Sequence, residues 1–153
     1  SLAQSEDRVS VDREWAFTQD YLDIEAIRLG NRLRMHAEIS REARARPILP
    51  FSLHTLVENA VRHGLAPSEE GGTVSVRARV KGSELIVQVI DDGVGCEPAA
   101  VDESSGTGIR TLRERLAGEY GDAARLELTA SPGEGFAATL TIGLASTGRS
   151  LDG

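Results

Sequence analysis

Two stretches of period-two alternation, Thr73 to Val80 and Glu84 to Ile90, stand back to back across Lys81-Gly82-Ser83. Alternation sends successive side chains to opposite faces, and a short glycine-bearing gap closes two such strands into an antiparallel hairpin, so a sheet lies at the centre of the fold. In the second strand Leu85, Val87 and Val89 share a face, and the same period carries Asp91 onto it. A carboxylate is thus aimed where apolar side chains point. Burial obliges it to find a hydrogen-bonding partner, and the exocyclic amine of a purine is one such donor. The glycines of Asp91-Asp92-Gly93-Val94-Gly95 let backbone approach a ligand closely.

Helical spacing predicts a helix from an N-cap at Asp12 to near Gly30, after polar, frayed residues 1 to 10. Trp15, Leu22 and Leu29 recur every seven residues with Ala26 between them, while Phe17, Tyr21 and Ile24 form an adjoining apolar face. That second face suits either a partner helix or a wide core-facing stripe. From Arg32 to Ile39, Leu33, Met35, Ala37 and Ile39 alternate with polar residues, which predicts a half-buried strand. Beyond Pro47 and Pro50, residues 51 to 64 read as a helix with two faces. Leu56, Val57, Ala60 and Val61 form the core side; His54, Thr55, Glu58, Asn59, Arg62 and His63 are left for chemistry.

Residues 93 to 108 are too long and too rich in glycine for a plain connection. Gly106-Thr107-Gly108 ends that loop immediately before a helix expected from Ile109 to Ala117, where free backbone N–H groups and the positive end of the helix dipole suit an anion. Strands from Arg125 to Ala130 and Phe136 to Leu144 flank the turn Ser131 to Gly135, and residues 146 to 153 read as a disordered tail. Two or three helices among four or five hairpin-connected strands give an α+β sandwich with helices on one sheet face.

Composition narrows the partners. The 153 residues carry a net charge of −7 and a single lysine, Lys81, which lies outside any P-loop frame. An acidic balance argues against nucleic acid, so an anionic ligand must be held by local dipoles or a metal. The lone Cys96 excludes an intramolecular disulfide and a cysteine-built zinc site, and no apolar run approaches the roughly 20 residues of a membrane helix. The start at Ser1, without Met, reads as part of something longer.

The order of four segments says more than any one of them. Glu58-Asn59-Ala60-Val61-Arg62-His63-Gly64, then Asp91 to Gly95, then Gly106-Thr107-Gly108 with its helix, then Ser131-Pro132-Gly133-Glu134-Gly135-Phe136 closely resemble the nucleotide-binding boxes of the GHKL (Bergerat) ATP-binding fold. The subtype is similar to the catalytic domain of LytS-type sensor histidine kinases, echoed by Pro47 to Gly64 and by the junction-like run Asp20 to Leu33. The resemblance spans roughly residues 12 to 144. It implies a two-layer sandwich, a mixed and mostly antiparallel sheet, and a lid over ATP. The division it implies is a junction helix over residues 1 to 30, a catalytic domain over 31 to 145, and the tail.

The resemblance assigns roles residue by residue. Glu58 and Asn59 become the catalytic pair, with Asn59 the Mg²⁺ ligand; Arg62 and His63 contact phosphates. Asp91 accepts the adenine amino group, Gly93 and Gly95 floor the pocket, and Gly106, Thr107 and Gly108 belong to the lid hinge. The implied activity is transfer of the ATP γ-phosphoryl group to a histidine, and the alternative is a nucleotide-gated module that binds ATP or ADP without transfer. The family's acceptor, a histidine followed by F-x-F-N, matches none of His36, His54 and His63. The implied partners are therefore an acceptor helix beyond this chain and, indirectly, a response regulator, in a homodimeric, membrane-anchored whole whose catalytic part is cytoplasmic. His54, Asp92 and Ser104 depart from the family's common Gln, Asn and Gly. A charge at Asp92 is expected to weaken nucleotide binding unless Mg²⁺ screens it, and Thr55 stands where hydrolysing relatives place a general-base Glu.

Overall fold

The computed structural model describes residues 7–100 and 106–144. A five-stranded sheet carries the fold, built from β2 (Leu33–Ile39), β4 (Gly72–Lys81), β5 (Glu84–Asp91), β6 (Ala124–Ser131) and β7 (Gly135–Gly143) in the spatial order β2-β4-β5-β7-β6. Only β2 runs parallel to its neighbour β4; the other pairings are antiparallel. Three helices cover one face: α1 (Val11–Leu29), α3 (Ser52–Asn59) and α4 (Gly106–Tyr120). A short α2 (Arg41–Arg44) and a two-residue strand β3 (Pro47–Ile48) bridge β2 and α3. The α+β sandwich with helices on one side is the architecture expected from the pattern of elements, and its mixed, mostly antiparallel sheet is the one the resemblance implies.

Register explains which side the helices take. Opposed residues share a face, and Val74, Val76 and Ala78 of β4, Leu85, Val87 and Val89 of β5, and Ala138, Leu140 and Ile142 of β7 are all buried. They meet Leu53, Leu56 and Val57 of α3, Ile109, Leu112 and Leu116 of α4, and Val11, Trp15, Leu22 and Leu29 of α1 in one core. The Arg115 guanidinium, donating to the Pro50 carbonyl at 2.7 Å, ties α4 to the chain entering α3.

Several expectations need correction. The N-cap of α1 is Ser10, whose hydroxyl accepts the Arg13 N–H at 3.1 Å; Asp12 lies inside the helix and pairs with Arg44. Residues 7 to 10 are not frayed, because Val9–Ser10 (β1) pairs antiparallel with Pro47–Ile48 of β3; residues 1 to 6 lie outside the described ones. The alternation in β2 does not bury one face. Met35 and Ala37 share the inward side with Val74 and Val76, yet both are exposed, because α1 leaves a groove at this edge strand. Of the second apolar face of α1, Ile24 is exposed, Phe17 packs against the rings of Phe51 and His54 at the surface, and Tyr21 alone of the three is half-buried against the core, while Ala26 of the first face is exposed. Regular α-helix ends at Asn59, and residues Ala60–Leu65 continue as a wider π turn. Helix α4 begins at Gly106, before the expected Ile109, and runs past Ala117. Within the expected lid, residues 101 to 105, including Ser104, lie outside the described residues, as does the tail from 146.

Candidate functional site

Strand β5 delivers Asp91 inward beside Val89, as its period requires, and leaves the carboxyl 2% exposed. One oxygen, Oδ1, accepts the Gly93 N–H at 2.9 Å; the other, Oδ2, is buried and has no protein partner. Burial pushes the carboxyl up from its ordinary 3.8 to about 6, with the Gly93 N–H pulling it down and the charge of Asp92 adding to the rise. An orphaned anionic acceptor inside a core is costly unless something donates to it.

What surrounds Asp91 is mostly glycine, and contact explains why. A Cβ on Gly64 would lie 2.5 Å from Asp91 Oδ1, on Gly93 2.1 Å from the Gly64 carbonyl oxygen, and on Gly95 2.0 Å from the Ser131 carbonyl oxygen. Gly135, at φ 91°, would place a Cβ 2.0 Å from the Asp91 carbonyl oxygen. The Val94 N–H donates to the Gly64 carbonyl at 3.1 Å and the Gly133 N–H to the Val94 carbonyl at 2.7 Å, so three separate segments are laced together by backbone. Gly64 reaches this position because the chain has widened: the Ala66 N–H bonds the Val61 carbonyl, five residues back, at 2.8 Å. Such π turns recur at functional sites.

Asp92 points elsewhere. It is exposed, and its Oδ1 accepts the Thr73 N–H at 2.7 Å, fastening the end of β5 to the start of β4. That oxygen is engaged in a backbone clamp, which the amide oxygen of an Asn would accept equally well.

A small cavity of about 30 Å³ lies at Asp91, lined by Asn59, His63, Gly64, Gly95 and Phe136. It adjoins, through Asn59 and His63, a cleft of about 190 Å³ bordered by Thr55, Glu58, Arg62 and residues Gly106, Thr107 and Gly108. The two-faced helix therefore does what its sequence predicted. Glu58, Asn59, Arg62 and His63 line one cleft while Leu56, Val57, Ala60 and Val61 are buried. Asn59 is the most enclosed of the four polar groups; Arg62 and His63 are exposed. Partial burial of the ring, followed by the neighbouring Arg62 charge, shifts the His63 pKa down from 6.5, with the Glu58 charge opposing. The fixed cation at this end is Arg62. Opposite stands the first turn of α4, where backbone N–H groups and the positive end of the helix dipole favour anionic oxygens.

The structure thus brings together the residues given a role: Asp91, Gly93 and Gly95 at the enclosed end, and Glu58, Asn59, Arg62, His63, Gly106, Thr107 and Gly108 at the open end, whereas His54, expected on the same polar face, packs instead against the rings of Phe17 and Tyr21. Gly64, Gly135 and Phe136, which the sequence placed within the resembling segments without giving them a role, also belong to the enclosed end. Gly64 carried a signal of its own, a glycine closing a helical run, and the structure sets Phe136 opposite Asp91 across the sheet. Cys96 is half-buried in the loop after Gly95 and lines neither cavity.

A cavity of about 30 Å³ holds no more than a few water molecules, so a ring-sized ligand reaches Asp91 only if side chains lining it move. With that movement, the donor set reads as a nucleotide site: an unpartnered carboxylate for an exocyclic amine, a glycine floor, and a helix N-terminus for phosphates.

The comparisons with known proteins agree. Residues 51–146 match the family of histidine kinase-, DNA gyrase B- and HSP90-like ATPases. The sensor histidine kinase BtsS of Escherichia coli K12 is 28% identical over 132 residues, 86% of this chain and 23% of its own length. The sensor protein kinase HptS of Staphylococcus aureus USA300 is 26% identical over 146 residues, 88% of this chain and 28% of its own. The chain spans about a quarter of the length of these curated relatives. Among solved structures, the histidine kinase domain of the Erythrobacter litoralis EL346 blue-light activated kinase superposes with a TM-score of 0.63 at 21% identity, covering 94% of this chain and 67% of that one. The mycobacterial sensor histidine kinase MprB superposes at 0.64 with 15% identity, covering 90% and 96%. The chain belongs to the histidine kinase-, DNA gyrase B- and HSP90-like ATPase family, whose ATP-binding domain it contains.

Proposed function

We propose that this chain is the ATP-binding catalytic domain of a two-component sensor histidine kinase, handing the ATP γ-phosphoryl group to a histidine on an acceptor helix outside residues 1–153. The observation that carries the reading is Asp91, a buried carboxylate whose Oδ2 has no protein partner in a glycine-built recess. In this reading Asp91 accepts the adenine amino group, Gly93 and Gly95 floor the base, and the first turn of α4 at Gly106, Thr107 and Gly108 faces the phosphates. Arg62 supplies fixed positive charge and neutral His63 a single N–H donor.

Among the described residues no three His, Cys, Asp or Glu side chains converge on a metal site. The donor set nevertheless suits Mg²⁺, which takes one or two protein oxygens and completes its shell with phosphate oxygens and water; the Asn59 amide oxygen is the protein ligand, with Glu58 beside it. When bound, that cation neutralises charge spread over the phosphoryl oxygens. The protein's own share is positioning and preorganised dipoles, because phosphoryl transfer asks for little covalent work.

Helix α1 is then the junction between the acceptor region and the catalytic body, with residues 31 to 145 the catalytic domain proper. A response regulator, a homodimeric whole and a cytoplasmic position for this part of a membrane-anchored sensor complete the reading. Its support is the family match and the sensor-kinase relatives; no helix of the described residues is long and apolar enough to cross a membrane.

Incubation with radiolabelled ATP tests the reading. The chain alone is expected to stay unlabelled, and a supplied helix bearing the family's acceptor histidine to gain acid-labile label slowly, since untethered partners lack a high effective concentration. Label on this chain alone would place an acceptor within it. No transfer to any supplied helix despite ATP binding would favour the nucleotide-gated module.

A further inference from the structure

Glu14 is a carboxylate in the wrong place for an ordinary helix surface. It lies on α1 at the phase of Val11, Thr18 and Leu22, and is 4% exposed. Its oxygens are spent on another helix: Oε1 accepts the Phe51 N–H at 3.0 Å and Oε2 the His54 N–H at 3.1 Å. Helix α3 has no cap of its own, since the residue at its N-cap, Phe51, makes no side-chain cap bond and sits in the left-handed region at φ 68°. A non-glycine residue holds that conformation only where its surroundings impose it. The first turn of α3 is thus capped, and its dipole met, by an anion supplied from 37 to 40 residues earlier. His54 is one helical turn from Glu58 and Asn59, and α3 is only 8 residues long. Asp91, by contrast, is placed by sheet register, opposite Val74 and Phe136, and by the Gly93 N–H.

We infer that Glu14 is a positioning residue for the metal–phosphate end of the nucleotide site: by gripping the first turn of α3 from α1, it sets where Asn59 presents its amide oxygen. A displacement of α1 is therefore felt at Asn59 and not at Asp91, so the junction helix tunes how phosphates are held and leaves base recognition alone. The inference rests on the assignment of Asn59 proposed above.

The test compares ADP affinity with Mg²⁺ and in EDTA for the unaltered chain, Glu14→Gln, Glu14→Asp and Ser10→Ala, together with amide hydrogen exchange at Phe51 and His54 in the nucleotide-free protein. In Glu14→Gln one acceptor becomes an N–H donor opposing a backbone N–H. Mg-ADP affinity is expected to fall about tenfold, as when a group supporting a metal ligand is lost, with little change for metal-free ADP and faster exchange at both amides. Glu14→Asp keeps two acceptors and is expected to restore part of the loss; should Glu14→Gln fail to fold, it carries the comparison. Ser10→Ala weakens the start of α1 itself and is expected to lower the melting temperature without moving the Mg²⁺ dependence. Equal weakening of both ADP forms, or no change in either, overturns the inference and leaves nucleotide binding standing. Absence of ADP binding by the unaltered chain overturns the functional reading and this inference with it.

Discussion

Around Asp91 the glycines are demanded by contact, with a Cβ on Gly64, Gly93 or Gly135 falling 2.0–2.5 Å from backbone or carboxylate atoms. At the start of α4 the same residue type is free: a Cβ on Gly106 meets nothing within 4 Å, and one on Gly108 only the Thr55 methyl at 3.6 Å. The backbone of the enclosed end is three interlocked segments, and only side chains are left to move when a ligand arrives. The open end is two helix ends facing each other across a cleft, and only φ 70° at Gly106 asks for glycine there. On the assignment proposed above, recognition of a base and handling of phosphates fall to parts of different stiffness. A kinase can reshape the second without disturbing the first.

Substitutions that add one methyl group to each end break this comparison most forcefully if it is wrong. Gly93→Ala drives a Cβ into the Gly64 carbonyl and is expected to cost on the order of 3 kcal/mol, at the upper end for a single change, read as a lowered denaturation midpoint. Should it melt like the unaltered chain, the recess is not close-packed.

Next in size is Asp91→Asn, which trades an anionic acceptor for a neutral one and is expected to weaken ATP by about 1–3 kcal/mol in calorimetric titration. The same change should raise the melting temperature of the empty protein, because a buried, half-unpaired charge disappears. Asp92→Asn, at the Thr73 clamp, is expected to spare affinity. Equal losses at both positions would mean that inward and outward roles are not divided as described.

The pH dependence sharpens the same point. Asp91 in the folded protein holds its proton up to about 6, against 3.8 ordinarily, so between these values the folded state binds more protons than the unfolded one. The empty protein therefore gains stability from this group as pH falls from about 6 toward 3.8, and forgoes it above. ATP affinity runs the other way, falling as pH drops through about 6 and the acceptor is neutralised. Melting curves at pH 5 and 7, with and without ATP, check both signs, and the Asp91→Asn protein should lack the step.

The smallest effect belongs to Gly108→Ala. Its new methyl group makes an ordinary contact, so stability should stay within about 0.5 kcal/mol of the unaltered chain. A large loss in the same denaturation experiment would show that the open end is as tightly packed as the recess.

The enclosed carboxylate was legible because a strand's period is rigid: once Leu85, Val87 and Val89 were inward, Asp91 had to follow. The cleft face of α3 was legible for the same reason, with a helical period. What escaped the sequence depends on partners far along the chain. Ser10 rather than Asp12 caps α1 because Val9 and Ser10 are held against Ile48 and Pro47. Alternation in β2 names two faces without saying that α1 leaves one uncovered at Met35 and Ala37. The π turn that brings Gly64 against Asp91 is a one-residue change of pitch that no apolar spacing records. Glu14 did leave a trace, an acid within an otherwise apolar phase of α1, although its partners at Phe51 and His54 lie a fold away.

The central claim is that Asp91 makes the recess an adenine site, and competition between ATP and GTP measures it most directly. Adenine offers an amino group where guanine offers a carbonyl oxygen, so the orphaned Asp91 Oδ2 gains a donor from one and faces a lone pair from the other. Calorimetric titration of the unaltered chain in Mg²⁺ at pH 7.5 is expected to show GTP at least about tenfold weaker than ATP, with most of that gap lost in Asp91→Asn. Equal affinity for the two nucleotides, or an unchanged preference in Asp91→Asn, would contradict the account.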